Sequence, residues 1–344
     1  IYVLDKEKNN IQIFAPTQSQ SMLHKAISDY RQGNYEESIT LLTEVLRVNN
    51  SSRLAHTYMG KNYVQYRDYE AAAEHFHISE QIADYSGAFW EIRNDWIQAN
   101  LFILILIFAL IIAFFIMRKS RKRKRNRAIN KGEYVPGRWE TITDKNAFLY
   151  DLKQISYAVF HPTDNAYEIS VGRTGSFASA SFIYVLALVL IVALRIGSGF
   201  IFSERIRNFS LSTFSLGFIV FLALFIGCNF FIVAIRDGKG TLADIYETTA
   251  YAFAPMLFIF PIATILGNFL TLNEGFIYHF LVWLAVIWSV ILLVSSYMQI
   301  HQYSLGKTIS TLLLALFAMA VVVIVISLIW LVVQQMIQQI QEIH

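Results

Sequence analysis

Six stretches of this chain are apolar over 17 residues or more and contain no Asp, Glu, Lys or Arg. They are Leu101–Met117, Phe177–Leu194, Leu211–Ala234, Thr248–Leu270, Phe276–Met298 and Thr308–Val333. A helix needs about 20 mostly apolar residues to cross a bilayer core, and lipid leaves no other partner for its backbone groups. Six such runs cannot all be cores of one small soluble domain. The pattern therefore predicts an all-α polytopic membrane protein with six transmembrane helices, one anchor followed by a five-helix bundle. Composition agrees, with 55% hydrophobic and 15% charged residues where soluble domains carry about 25% charge. The single cysteine, Cys228, excludes an intrachain disulfide.

Charge orients the spans. Residues 118–127, "RKSRKRKRNR", hold eight basic side chains directly after the first span: Arg118, Lys119, Arg121, Lys122, Arg123, Lys124, Arg125 and Arg127. Residues 1–98 carry 9 Lys/Arg against 13 Asp/Glu, whereas 118–175 carry 13 against 6. The positive-inside rule then makes 118–145 a polybasic cytosolic linker and these eight residues topology-determining. Cytosolic segments collect 16 basic residues, and the outer loops after the first span only 3. The N-terminal region and the C-terminus fall outside the cytosol of a cell-membrane protein. Anionic lipids near the basic run are expected partners. No nucleic-acid reader motif accompanies it, so no nucleic acid is expected.

Within a domain expected over 22–100, residues 22–80 repeat themselves. "YRQGNYEESITLL" (30–42) and "YVQYRDYEAAAEHF" (63–76) align at a shift of 34, which sets Tyr35 on Tyr69, Ser38 on Ala72 and Leu42 on Phe76. A 34-residue helix-turn-helix period is that of the tetratricopeptide repeat, which these residues resemble. Gly60 and Tyr63 match the first-helix glycine and aromatic, and Ala72 and Phe76 the small and large positions of the second. The first repeat departs with Ala26 and Asp29. A third helix, 86–100, is expected to cap the stack through Phe89, Trp90 and Ile92. It should run unbroken into the first span (101–117), since no Gly or Pro interrupts Ala88–Met117. Before the repeats, "IYVLD" and "IQIF" flank "KEKNN" and predict a short β-hairpin within 1–17. This hairpin looks like the end of an NHL-type β-propeller blade. The chain opens at Ile1 rather than Met, so a preceding segment is expected.

In the region 146–344, "NAFLYDLKQISYAVF" places Phe148, Leu152, Ile155 and Val159 on one helical face, with Asp151, Lys153 and Gln154 away from it. Such a helix either lies in the inner interface or packs on the span ends, and Pro162 should halt it. Thr241 and Asp244 form a capping box where the fourth span begins, and Ser304 can cap the sixth. Gly238 and Gly240 suit a tight turn. Pro255 and Pro261 interrupt the fourth span, as either a kink or a broken helix. Asn229 and Asn268 are expected to hydrogen-bond to other helices. "YAVFHPTDNAYEI" (157–169), "RDGKGTLADIYETTAYAFAPMLF" (236–258) and "IHQYSLGKTISTLLLALFAMAVVV" (300–323) resemble the Yip family (Ypt-interacting-protein domain). That resemblance implies about five spans after a cytosolic segment.

No nucleophile–base pair, carboxylate dyad or metal-ligand spacing stands out, so neither an enzyme nor a cofactor is expected. "GKT" at 306–308 lacks the glycine a phosphate loop requires at His301. The expected role is a non-catalytic membrane scaffold or adaptor that presents the repeats and docks onto other membrane proteins. The bacterial look of the layout suggests carbohydrate-importing ABC transporter permeases. The alternatives are a transporter or channel for an uncharged solute, and a membrane-shaping or trafficking factor of the Yip type. Thr308–His344 should be one helix longer than its span. Met336, Ile337, Ile340 and Ile343 form an apolar stripe on its protruding end as candidate partner contacts.

Overall fold

The computed structural model describes residues 2–5, 10–13, 17–130, 147–171, 175–203 and 209–343, with side chains over 17–121, 148–171, 175–203 and 209–339. It divides into two units, Ile1–Gly132 with Phe269–Gly275, and Glu133–Asn268 with Phe276–His344.

The first unit opens with an antiparallel pair, β1 (Tyr2–Asp5) and β2 (Asn10–Ile13), in which Tyr2 faces Ile13. Thr17 then starts α1 (Gln18–Gln32) with a capping box to Gln20, and Gly33, at φ 87°, ends it. Next come α2 (Tyr35–Val48), α3 (Arg53–Gln65) and α4 (Tyr69–Ile78). Tyr35 and Tyr69, 34 residues apart, each open the second helix of a hairpin. The two hairpins solve one packing problem with different pairs. In the first, Ala26 and Leu42 are both fully buried. In the second, Gly60 lies under the Phe76 ring, which a Cβ at position 60 would approach to 2.7 Å. The larger side chain sits where the smaller one leaves room. Ser38 donates to the Ala26 carbonyl (2.9 Å) and accepts from the Asn62 amide (3.0 Å), stitching the hairpins together.

One helix, α5 (Ile82–Asn130), packs on α4 and continues through the first span. Ala88, Tyr85 and Ile92 close the core around Ala72 and Phe76. Phe89 only stacks on Tyr85, and Trp90 points outward. The helical period turns position 90 off the face that 85, 88 and 92 share, which corrects its expected capping role. The helix also carries the basic run, so residues 118–130 are helical. From α5, Arg93 holds the segment 269–275. Its guanidinium donates to both Glu274 carboxylate oxygens (2.6 and 2.8 Å) and to the Phe269 carbonyl (2.7 Å), while Ser86 Oγ accepts the Leu272 N–H (2.8 Å).

The second unit is helical: α6 (Ala147–Ala158), α7 (Pro162–Ser170), α8 (Phe177–Gly197), α9 (Gly199–Phe202), α10 (Leu211–Ile235), α11 (Leu242–Ala252), α12 (Ala254–Gly267), α13 (Gly275–His301) and α14 (Leu305–Ile343). Its core joins Ile155 of α6 and Val159 just after it, Ile169 of α7, Ile183 of α8, Ile226 of α10, Ile245 of α11 and Tyr297 of α13. Pro162 does not merely halt α6. It occupies the first turn of α7, where its missing N–H costs nothing. The fourth span is broken. Phe253 separates α11 from α12, Pro255 sits in the first turn of α12 and Pro261 lies inside it. Asn268 donates across to the Gly197 carbonyl (2.7 Å), but Asn229 donates to the Phe225 carbonyl of its own helix (2.7 Å) rather than to a neighbour. By length and composition six helical segments are able to cross a membrane: Ile82–Arg121, Phe177–Gly197, Leu211–Ile235, Leu242–Gly267, Leu272–His301 and Leu305–Gln339. The chain is an all-α polytopic membrane protein apart from its short β pair.

Candidate functional site

Two short connections meet at one end of the second unit. The first leaves α10 through Arg236 and Asp237, the latter at φ 56°, and reaches α11 at Thr241. The second leaves α13 at His301 and enters α14 after Ser304. They are zipped together. His301 Nδ1 accepts the Gly240 N–H (3.2 Å), Lys239 donates to Gln302 Oε1 (2.6 Å), and the Tyr303 hydroxyl donates to the Arg236 carbonyl (2.9 Å). Burial raises the Tyr303 phenol above its ordinary pKa, which keeps it a donor. The Lys307 ammonium lies 4.1 Å from the Tyr303 ring centroid, a cation–π contact.

The glycines are required by this closeness more than by turn geometry. A Cβ on Gly240 would come within 2.5 Å of Ile300 and of the His301 ring. Thr241 and Asp244 form the expected capping box, with Thr241 Oγ1 accepting the Asp244 N–H (3.2 Å) and Asp244 accepting the Thr241 N–H (2.8 Å). Ser304 caps α14 through the Lys307 N–H at 3.4 Å. Directly beneath, the buried Tyr297 hydroxyl pairs with Thr249 (2.8 Å), linking α13 to α11.

The most consequential residue that sequence reasoning misplaced is Asp151. It is 4% exposed and clasps the entrance to α8, accepting from the Gly175 N–H (3.0 Å) and Ser176 Oγ (3.1 Å). Its carbonyl accepts the Tyr251 hydroxyl (3.1 Å). The signal was present. Position 151 lies three residues after Phe148 and four before Ile155, so the helical period carries it to the inward face. A buried carboxylate needs donors, and α6 supplies Asp151 to the start of α8.

The first unit carries a separate surface. Tyr30, Tyr35, Tyr58 and Tyr66 gather from α1, α2, α3 and the end of α3, with ring centroids 5.5–6.4 Å apart between successive partners. Lys61 lies over the Tyr58 ring. Of the predicted packing residues, Leu42, Gly60, Ala72 and Phe76 are buried, Tyr63 and Tyr69 partly buried, and Tyr35 belongs to this patch. Nearby, His56 Nε2 lies 2.9 Å from the Asn50 carbonyl and His56 Nδ1 2.8 Å from His75 Nδ1. A carbonyl only accepts, so neutral His56 carries its proton on Nε2 and His75 donates from Nδ1. Burial, and then His56, lower the pKa of His75.

Arg118, Lys119 and Arg121 are exposed on α5. The side chains of Lys122, Arg123, Lys124, Arg125 and Arg127 lie outside the described residues, as do those of Ile340 and Ile343. Met336 and Ile337 are exposed on α14, which at 39 residues is about 58 Å long. Among the described residues no group of three or more His, Cys, Asp or Glu side chains could hold a metal ion.

The family model described as the Yip1 domain matches residues 157–328, half of the chain. This range holds both zipped connections, the capping box and the broken span, and begins six residues beyond Asp151. No curated protein and no solved structure matches the chain.

Proposed function

The chain belongs to the Yip1 domain family, and from that premise we propose that it is a non-catalytic membrane adaptor. The hairpins α1–α4 form a tetratricopeptide-like module on the outer side of the membrane. The Yip1 domain is the docking body, and the partner is another membrane complex, with carbohydrate-importing ABC permeases as candidates. The observation that carries this reading is the tyrosine patch. Four tyrosines converge on one face of the hairpins, and tyrosine is favoured at interfaces because it joins a broad apolar ring to a polar tip. The exposed Met336 and Ile337 on the extension of α14 supply a second contact on the same side in this topology.

Cross-linking in native membranes followed by purification tests the reading. A defined membrane complex should be retained, and should be lost when Tyr58→Ala and Tyr66→Ala are combined. A chain that runs alone, or retention indifferent to both substitutions, would contradict it. The break at Phe253 favours a second reading, conduction of an uncharged solute, because broken helices form midplane sites in transporters. Solute flux into liposomes holding only this chain would support that reading, and absence of flux would remove it.

A further inference from the structure

The broken span opens a cavity. A space of about 270 Å³ lies between α10, the α11–α12 break and α13. Ala252, Phe253 and Met256 wall it at the break, and Leu222 and Ser289 lie opposite. Its depth is set by residue position. Phe221–Phe225 is the middle of Leu211–Ile235, and Val286–Leu293 is the middle of Gly275–His301.

The floor is closed and the mouth is open. Leu222, Ala252 and Ser289 are buried, whereas Phe221 and Val290, on the same cavity, are half exposed on the outer surface of the unit. The cavity therefore opens sideways at mid-span. It presents only apolar surface. The one hydroxyl without a partner on its wall, Ser289 Oγ, is itself buried.

Water is a poor occupant, since an ordered molecule needs two to four polar partners. An empty space forfeits the dispersion contacts of its lining. A helix from another protein is far too wide. An engineered cavity of roughly 150 Å³ takes one benzene, so this one has room for on the order of ten carbon atoms. The only material at this depth with that slender shape is hydrocarbon tail. We propose that the cavity holds the end of one acyl chain of a bilayer lipid, gripped at the break in the fourth span rather than exchanging freely around the protein.

The full chain in nanodiscs of phosphatidylcholine, with a diazirine at the end of one acyl chain, tests this without any partner present, so its outcome is separate from the adaptor reading. Photolysis should place adducts on Leu222, Ala252 and Met256 in excess of exposed positions such as Phe317. Ala252→Phe, which fills the floor, should lower the cavity adducts at least fivefold and leave those on α14 unchanged. Val290→Trp, at the mouth, provides the same readout should the first variant not fold. Adducts that simply follow surface exposure, or that persist in both folded variants, would overturn the proposal. So would cavity peptides cross-linked to a second protein chain.

Discussion

The zipped end of the second unit and the middle of its spans are built by opposite means. At the end, loops 236–241 and 301–304 meet through directional bonds from Gly240, Lys239 and Tyr303. Contact is so close that no side chain fits at Gly240. At mid-span, the same helices are separated by an apolar cavity with an orphaned Ser289 hydroxyl on its wall. Loop backbone groups must be satisfied, so a loop end tolerates little error in position. Side-chain packing between spans carries no such obligation and leaves room for a guest.

This contrast can be broken at its tightest point. Gly240→Val forces atoms into Ile300 and His301 and should destabilise the purified protein by about 3 kcal/mol, the upper range for overpacking, read as a fall in thermal midpoint in detergent. Asp151→Ala should follow at about 2 kcal/mol, because it strands the Gly175 N–H. Hydrogen exchange should then rise first at residues 175–179.

Acidification probes the hairpins of the first unit. The pKa of His75 is lowered in the folded chain, so the unfolded state binds more protons near its ordinary value of about 6.5. Stability of the hairpins is then fully present above that pH and is lost as pH falls through it. Protection factors in α3 and α4, taken against the intrinsic exchange rate at each pH, should fall between about pH 7.5 and 5.5, and His75→Phe should flatten the response. The smallest effect belongs to Ser289→Ala. Removing a hydroxyl that has no partner should be neutral or slightly stabilising, and a clear loss in thermal midpoint would show that Ser289 holds a bond after all.

What was legible in the sequence was local. Hydropathy marked all six spans, and the Thr241–Asp244 box needs only a three-residue spacing. The Gly60–Phe76 and Ala26–Leu42 pairs follow from a 34-residue offset. What escaped depends on partners distant in the chain. Arg93 and Glu274 are 181 residues apart, and no period links them. Pro162 stops one helix only because it starts the next. Asp151 was misplaced because a carboxylate was assumed to face water, when the first turn of α8 offered donors in its place.

The adaptor reading rests on the hairpins and the end of α14 lying outside together while the basic run stays inside. Single cysteines in a Cys228→Ser background test this directly with a membrane-impermeant maleimide on intact cells. Ser28, Ser120 and Gln338 are all exposed positions. The account predicts that Ser28→Cys and Gln338→Cys are labelled at once, and that Ser120→Cys is labelled only after permeabilisation. Protection of Ser28→Cys together with immediate labelling of Ser120→Cys would contradict it.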